Sequence, residues 1–287
     1  MLASVAIVYL TSFGLYSFKK GNPEQRCQLL QPMLASSLFS WSFIGASLVL
    51  CAFLLSQYEN YPDLTIKEVF GGSLLASLAF ATVMTVIARR HTFHRILERM
   101  TGPLGIPNLS TGFGALSGRI GVPEVTLREA KYGNAFSISL KGRSVVAMSP
   151  ELTRSLSQDE TEAVLAHELS HIKNGDSSAK GLARLARAAF PFDPVIRLVE
   201  AAVHRERELW ADRVAAEFTQ KPLALASALV KANSGARKGA TSHTAGLFVG
   251  ASGQGLLSLY PNLEQRVDAL LALARNMGTV TAPLEVP

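Results

Sequence analysis

Three long runs of uncharged residues lie in the first third of the chain, and they constrain its fold more than any other feature. The runs are residues 1–18, 33–57 and 69–88. Each is long enough to cross a hydrocarbon core of about 30 Å as a helix that rises about 1.5 Å per residue. The sequence therefore predicts three N-terminal transmembrane helices within a membrane domain over residues 1–100. Trp41, in the second run, is either an interfacial anchor or a lipid-facing side chain.

The charges that flank these runs predict an orientation. The first loop is basic, the second is mainly acidic, and four arginines follow the third run within residues 89–99. Because basic flanks stay in the cytoplasm, everything after residue 89 is expected inside a multi-pass cell-membrane protein. A cleaved signal peptide is the alternative for residues 1–18, but that run lacks a basic start and a small-residue cleavage site. The membrane flanks carry much of the net charge of +6, so no nucleic-acid partner is predicted. The sequence does not predict the oligomeric state.

The rest of the chain predicts an α+β domain that is mainly helical with a small sheet. Residues 101–123 contain six glycines and three prolines and are expected to be a linker or a loop packed on the domain surface. Short strands are predicted over residues 124–128, 135–140 and 144–148, the last two forming a hairpin. Helices are predicted from Ser157 to Asn174 and over residues 179–189, 195–218, 223–231 and 262–275, with prolines interrupting at positions 191 and 194. The domain is expected to cover residues 124–275, with a mobile stretch over 235–255 and a loose tail over 276–287.

Two histidines four residues apart carry the chemistry of the first predicted helix, in the stretch AVLAHELSHIKNGD. On a helix, His167 and His171 lie on one face and can bind one metal ion, with Glu168 beside it as a base for a metal-bound water. The alternative is an ordinary charged helix face. The neighbours of these residues are apolar, however, and a buried His-Glu-His face without a partner is costly.

A second acidic pair strengthens the metal interpretation. Glu208 and Asp212 lie four residues apart in RERELWAD. Glu208 is predicted as the third ligand, and Asp212 as the acceptor for the free ring N–H of a ligand histidine. Glu206 is the competing ligand, but it lacks an aspartate at the same offset. Three ligands on one zinc ion per chain leave the open position that hydrolysis requires, whereas a structural zinc site is closed by four.

These motifs together resemble the integral-membrane zinc metallopeptidases of the HtpX and CaaX prenyl protease type, over residues 119–271. Asn134-Ala135-Phe136 resembles the NAF strand of that family, and Tyr260-Pro261 with Arg266 resembles its HPxxxxR segment. The resemblance implies that the strand after Asn134 pairs with the substrate backbone, and that Asn134 and Arg266 steady the substrate or the oxyanion. Tyr260 stands where the family has histidine, and it can donate a hydrogen bond but carries no charge.

The resemblance implies a membrane-anchored, zinc-dependent endopeptidase that acts on membrane or membrane-proximal proteins and peptides. Further membrane spans are common in this family between the HExxH helix and the glutamate, but charged residues interrupt every apolar run over 179–203 here. The residues alone do not exclude two other classes of protein. One is an HExxH-containing membrane signal transducer, and the other is a non-catalytic interaction domain stabilised by zinc.

Overall fold

The structure is a computed structural model that describes residues 23–56, 68, 71–72, 75–76, 78–80, 82–83, 101–102, 112–122, 124–131, 135–140, 143–236, 258 and 261–278. The helices are α1 (Pro23–Ser56), α2 (Phe113–Ile120), α3 (Pro150–Ser155), α4 (Gln158–Lys173), α5 (Asp176–Ala189), α6 (Pro194–Thr219), α7 (Pro222–Ala236) and α8 (Leu263–Asn276). The strands are β1 (Thr101–Gly102), β2 (Val125–Ala130), β3 (Ala135–Leu140) and β4 (Arg143–Met148). The prediction of a mainly helical fold with a small sheet is confirmed.

The chain divides into two compact units. The first comprises residues 1–91 and 181–200, and the second comprises residues 92–180 and 201–287. The metallopeptidase domain predicted from the sequence, over residues 124–275, stays a prediction. Within the first unit the turn between α5 and α6 contacts helix α1: the Trp41 Nε1–H donates to Asp193 Oδ2 at 2.7 Å.

The sheet of the second unit has four strands in the order β1-β2-β4-β3. Strands β3 and β4 form the predicted antiparallel hairpin, while β2 and β4 run parallel and β1 adds an antiparallel pair at the other edge. Strand β3 therefore lies at an edge of the sheet, as the sequence indicated. Strand β3 packs on helix α4, and Ala135 and Phe136, which point to opposite faces of the sheet, are both fully buried.

The glycine-rich segment after residue 100 is not irregular throughout, and this part of the prediction was wrong. Helix α2 begins after Gly112 and ends at Gly121, whose φ angles of 107° and 89° lie in the left-handed region that suits glycine. Phe113, Leu116 and Ile120 are spaced on one helix face and are buried. The glycines bound this helix instead of breaking it.

Helix α4 is central to the core of the second unit, and a capping box fixes its first turn. The Ser157 hydroxyl accepts from the Glu160 amide, and the Glu160 carboxylate accepts from the Ser157 amide at 2.7 Å, as predicted. Glu160 also accepts from Lys231 at 2.7 Å and from Ser227 at 2.6 Å. Burial favours the neutral acid, but these hydrogen bonds outweigh it and lower the pKa of Glu160 from 4.5 to about 2.

We expect Glu160→Gln to destabilise the fold at neutral pH by about 1–2 kcal/mol, because the cap and the buried charge-assisted hydrogen bonds are weakened together. The carboxylate stabilises the folded state fully above pH 4.5, and this contribution is lost as pH falls towards about 2. The difference in melting temperature between wild type and variant is therefore expected to shrink over that window. Glu151→Gln, at an exposed position in the first turn of α3, is the control. A pH-independent difference would contradict this assignment.

Helix α1 overlaps the second uncharged run but begins ten residues earlier, at Pro23. Its early turns bury Cys27, Leu30, Met33 and Leu34, whereas later turns expose apolar side chains. Within the part of the chain that the structure describes, no helix combines the length and the apolar character needed to cross a membrane. The first run lies outside the described residues and the third is described only in part, so the three-helix membrane domain stays a prediction.

Candidate metal centre

Helix α4 holds both motif histidines and the intervening glutamate inside the core of the second unit. His167, Glu168 and His171 are 0%, 2% and 9% exposed. The apolar neighbours on the helix, Val164, Leu165, Ala166, Leu169 and Ile172, are also buried in the core. Three polar side chains at such a position require strong partners nearby.

Three side chains from two helices converge on one point: His167 and His171 of α4 and Glu208 of α6. The two Nε2 atoms are 3.1 Å apart. Carboxylate oxygens of Glu208 lie 3.6 Å from His167 Nε2 and 3.5 Å from His171 Nε2. Ligands around a tetrahedral ion with bonds of about 2.0–2.2 Å are roughly 3.3–3.6 Å apart. The two distances to Glu208 lie in this range and the separation of the Nε2 atoms is slightly shorter, so the three side chains are placed to hold a zinc ion.

Each histidine is oriented by an aspartate that in turn contacts a buried arginine. His171 Nδ1 lies 2.6 Å from Asp176 Oδ2, and the other oxygen of Asp176 accepts from Arg207. Arg207 also donates to the Asn174 carbonyl at 3.2 Å. The turn that delivers Asp176 depends on Gly175, whose φ of 67° is left-handed.

His167 has an equivalent pair on its other side. His167 Nδ1 lies 3.0 Å from Asp212 Oδ1, a contact with the distance of a hydrogen bond but without its ideal direction. Asp212 accepts two hydrogen bonds from Arg266, from Nε and Nη2, both at 2.7 Å. All three side chains are at most 2% exposed.

These contacts assign the histidine tautomers. An aspartate beside each Nδ1 favours a ring proton there, which leaves each Nε2 to bind a cation. The two Nε2 atoms, 3.1 Å apart with a carboxylate beside them, are placed to share either a proton or a metal cation. The donor set therefore matches a metal site by its chemistry as well as by its spacing.

The electrostatics of the centre favour a cation as well. Burial opposes a charge on His167, but the carboxylates of Asp212 and Glu208 outweigh it and raise the pKa of His167 to about 9. Burial likewise opposes ionisation of Glu208, but Lys180 and His171 hold the pKa of its carboxyl well below 4.5. Lys180 Nζ lies 2.8 Å from Glu208 Oε1. The centre thus keeps its carboxylate ionised, as a metal ligand must be.

The edge strand of the sheet meets the start of helix α5. The Ser139 amide of β3 donates to Ser177 Oγ at 3.1 Å, so this amide faces away from β4. Because amides alternate in direction along a strand, those of Ser137 and Ala135 face the same side as the Ser139 amide. Among the described residues, Ala135 and Ser137 therefore direct their amides to the outer edge of β3, and Ser177 binds the next outward amide.

The structure brings together five of the residues that the sequence singled out: His167, His171, Glu208, Asp212 and Arg266. Glu206 is buried but does not belong to the group of candidate ligands among the described residues. Arg266 Nη1 is 3.5 Å from Glu208 Oε2, while Nε and Nη2 bind Asp212. Asn134 and Tyr260 lie outside the described residues.

The sequence reasoning missed Asp176, Arg207 and Lys180. The only signal for Asp176 was its position after the Asn174-Gly175 helix stop.

Comparison with known proteins agrees with this geometry. The model of Peptidase family M48 matches residues 88–274, which is more than half of the chain. The chain belongs to peptidase family M48. Its relatives include a protease HtpX homolog of Gemmatimonas aurantiaca, 34% identical over 80% of this chain and 91% of the relative. Another is a protease HtpX homolog of Pyrococcus furiosus, 27% identical over 89% of this chain and 97% of the relative.

A solved structure shares the fold of this M48 member. The crystal structure of S. mikatae Ste24p matches with a TM-score of 0.50 and 16% identity, over 77% of this chain and 62% of that one. The resemblance inferred from the motifs is therefore confirmed at the level of the family. M48 proteins are metallopeptidases, so proteins or peptides are the class of substrate.

Proposed function

We propose that this M48 member is a membrane-attached, zinc-dependent endopeptidase with one zinc ion per chain. The observation that carries the proposal is the convergence of the two histidine Nε2 atoms and the Glu208 carboxylate on one point, each histidine being backed by an Asp-Arg pair. Three ligands from two buried helices leave a fourth position for water. A structural zinc site would use a fourth side chain there.

Bound zinc would lower the pKa of its water towards about 7 and polarise the scissile carbonyl. Glu168 is the proposed general base: its carboxylate accepts the proton of the attacking water and returns it to the leaving amine. Its position directly after His167 on α4, and its burial, support this role because the carboxylate shares the dry environment of the ligands.

Asp176 and Asp212 are proposed to keep the proton of each ligand histidine on Nδ1. Arg207 and Arg266 supply the positive charge that allows these aspartates to be buried in the ionised form. The sequence suggested that Arg266 steadies substrate or oxyanion. Its two hydrogen bonds to Asp212 and its exposure of 1% support a positioning role instead.

The outer edge of β3, the last strand of the sheet, is the proposed site for the substrate backbone, because an edge strand accepts a peptide by strand addition. The outward amides of Ala135 and Ser137 would bind carbonyl groups of the peptide. The Ser177 hydroxyl accepts from the next outward amide, that of Ser139, and would end the pairing with the peptide there. Asn134 directly precedes this edge, and Asn134 and Tyr260 remain proposed contacts for substrate or oxyanion.

Membrane attachment is proposed from the three uncharged runs, with the catalytic unit in the cytoplasm. Exposed large apolar side chains of the first unit support it. On α1, Leu48, Val49 and Phe53 are 66%, 72% and 59% exposed. Side chains this apolar and this exposed suit contact with lipid. The catalytic unit would then reach substrates that lie in or near the membrane.

Removal of the metal tests the proposal. We expect 1,10-phenanthroline to abolish hydrolysis of casein by the detergent-purified chain, and stoichiometric zinc to restore it, whereas a calcium-selective chelator has no effect. The melting temperature should fall with the metal, since a ligand that binds only the folded state stabilises it. A protein that binds zinc but cleaves neither casein nor membrane proteins would support the non-catalytic zinc domain or the signal transducer.

A further inference from the structure

The turn between helices α5 and α6 presents an aromatic tip. It consists of residues 190–194, with the sequence Phe-Pro-Phe-Asp-Pro. Phe192 is 65% exposed and Pro191 is exposed as well. Two neighbouring apolar side chains, Pro191 and Phe192, are thus exposed together, and the prolines at 191 and 194 restrict the backbone on either side of the ring.

Trp41 of helix α1 joins this tip to the N-terminal helix. Its ring makes an edge contact with Phe192 at 4.9 Å between centroids and stacks on Phe190 at 6.2 Å. Leu48 lies seven residues further on, about 10 Å along the same helix, where the apolar exposure of α1 becomes high. Tip and tryptophan thus lie near the start of the apolar surface of α1.

The one acid of the tip is directed inward. Asp193 is 8% exposed; its Oδ2 accepts from the Trp41 ring N–H, and its Oδ1 accepts from the Ile196 amide at 3.3 Å. This arrangement caps helix α6 and satisfies the carboxylate. The outer surface of the tip is therefore contributed by Pro191 and Phe192 without the carboxylate charge.

Arginines flank the tip at equal distances along the chain. Arg187 precedes Phe192 by five residues and Arg197 follows it by five. Arg197 is exposed, and the side chain of Arg187 is 47% exposed beside Glu200. Long basic side chains behind an aromatic tip suit a surface with an apolar interior and anionic head groups.

We propose that the α5–α6 tip inserts Pro191 and Phe192 into the cytoplasmic face of the lipid bilayer beside helix α1, while Arg187 and Arg197 face the head groups. This contact rests on the proposed membrane attachment and adds to it. The bilayer is the occupant that accounts for both the exposed apolar side chains of α1 and the arginines on each side of the tip. Aromatic and basic residues in this arrangement are typical of membrane interfaces. The tip holds the start of helix α6 at the bilayer surface.

Site-specific fluorescence tests the proposal on the full chain. Phe192→Cys in a background of Cys27→Ser and Cys51→Ser is labelled with an environment-sensitive fluorophore and reconstituted in vesicles of phosphatidylcholine with phosphatidylglycerol. Leu223→Cys, an exposed apolar site in the second unit, is the matched control, and Leu48→Cys reports the attachment through α1. Spin-labelled lipids and aqueous iodide are the two quenchers. Pro191→Cys repeats the measurement without disturbing the contact of Phe192 with Trp41.

We expect spin-labelled lipid to quench the labels at 191 and 192 about threefold more than the label at 223, and iodide to quench them about threefold less. Equal iodide quenching at 192, 191 and 223, with Leu48→Cys still quenched by lipid, would overturn the tip contact and leave membrane attachment intact. Loss of lipid quenching at 48 as well would overturn the attachment itself. Protection of 191 and 192 from both quenchers would assign the tip to a protein contact and also overturn the proposal.

Discussion

Glu168→Gln is expected to reduce peptide hydrolysis by about 10²–10⁴-fold while leaving zinc bound. Glutamine has nearly the same shape but cannot accept the proton of the attacking water. Zinc should stay at one ion per chain, because the group that converges on the metal position consists of His167, His171 and Glu208. The turnover number on casein and the zinc content of the purified variant are the two measurements.

Glu162→Gln is the matched control for this change. Glu162 lies on the same helix, but its side chain is 30% exposed and pairs with Lys221 at the surface. The control should retain wild-type turnover and zinc content. Turnover in Glu168→Gln equal to that of the control would exclude Glu168 as the base. Loss of zinc from Glu168→Gln alone would instead identify Glu168 as a ligand.

The sequence predicted the features of the fold that depend on neighbouring residues. The Ser157–Glu160 capping box and the β3–β4 hairpin were recognised because each is encoded over a few positions. His167 and His171 were paired for the same reason, since a spacing of four places two side chains on one helix face. Glu208 is distant in sequence from the two histidines, and it was predicted as a ligand because Asp212 follows it by four residues.

The contacts that the sequence did not predict join distant segments. Asp176 reaches His171 across a glycine turn, and Arg207 reaches Asp176 from another helix, 31 residues away. No local spacing encodes such a pair. Helix α2 was missed for a different reason: the conformational freedom of glycine serves a helix end as well as a loop, and only the φ angles distinguish them.

Arg266 was noticed from the sequence, but its role depends on packing that the sequence does not specify. The guanidinium is buried and satisfies Asp212, which in turn orients His167. We expect Arg266→Met to destabilise the fold by about 3–5 kcal/mol, because it leaves the Asp212 carboxylate buried without its cation. For a domain of this size that corresponds to a fall of roughly 10 °C in melting temperature.

Arg213→Met provides the matched control, since it also removes an arginine, but one that lies at the surface of helix α6. Arg213 pairs with Glu217 at 2.7 Å, but both side chains are more than 40% exposed. Exposed pairs of this kind contribute at most about 1 kcal/mol, so the melting temperature should change little. A change as small in Arg266→Met would contradict the proposed role. Combining Arg266→Met with Asp212→Asn should cost less than the sum of the single changes, because the second removes the charge that the first leaves unpaired.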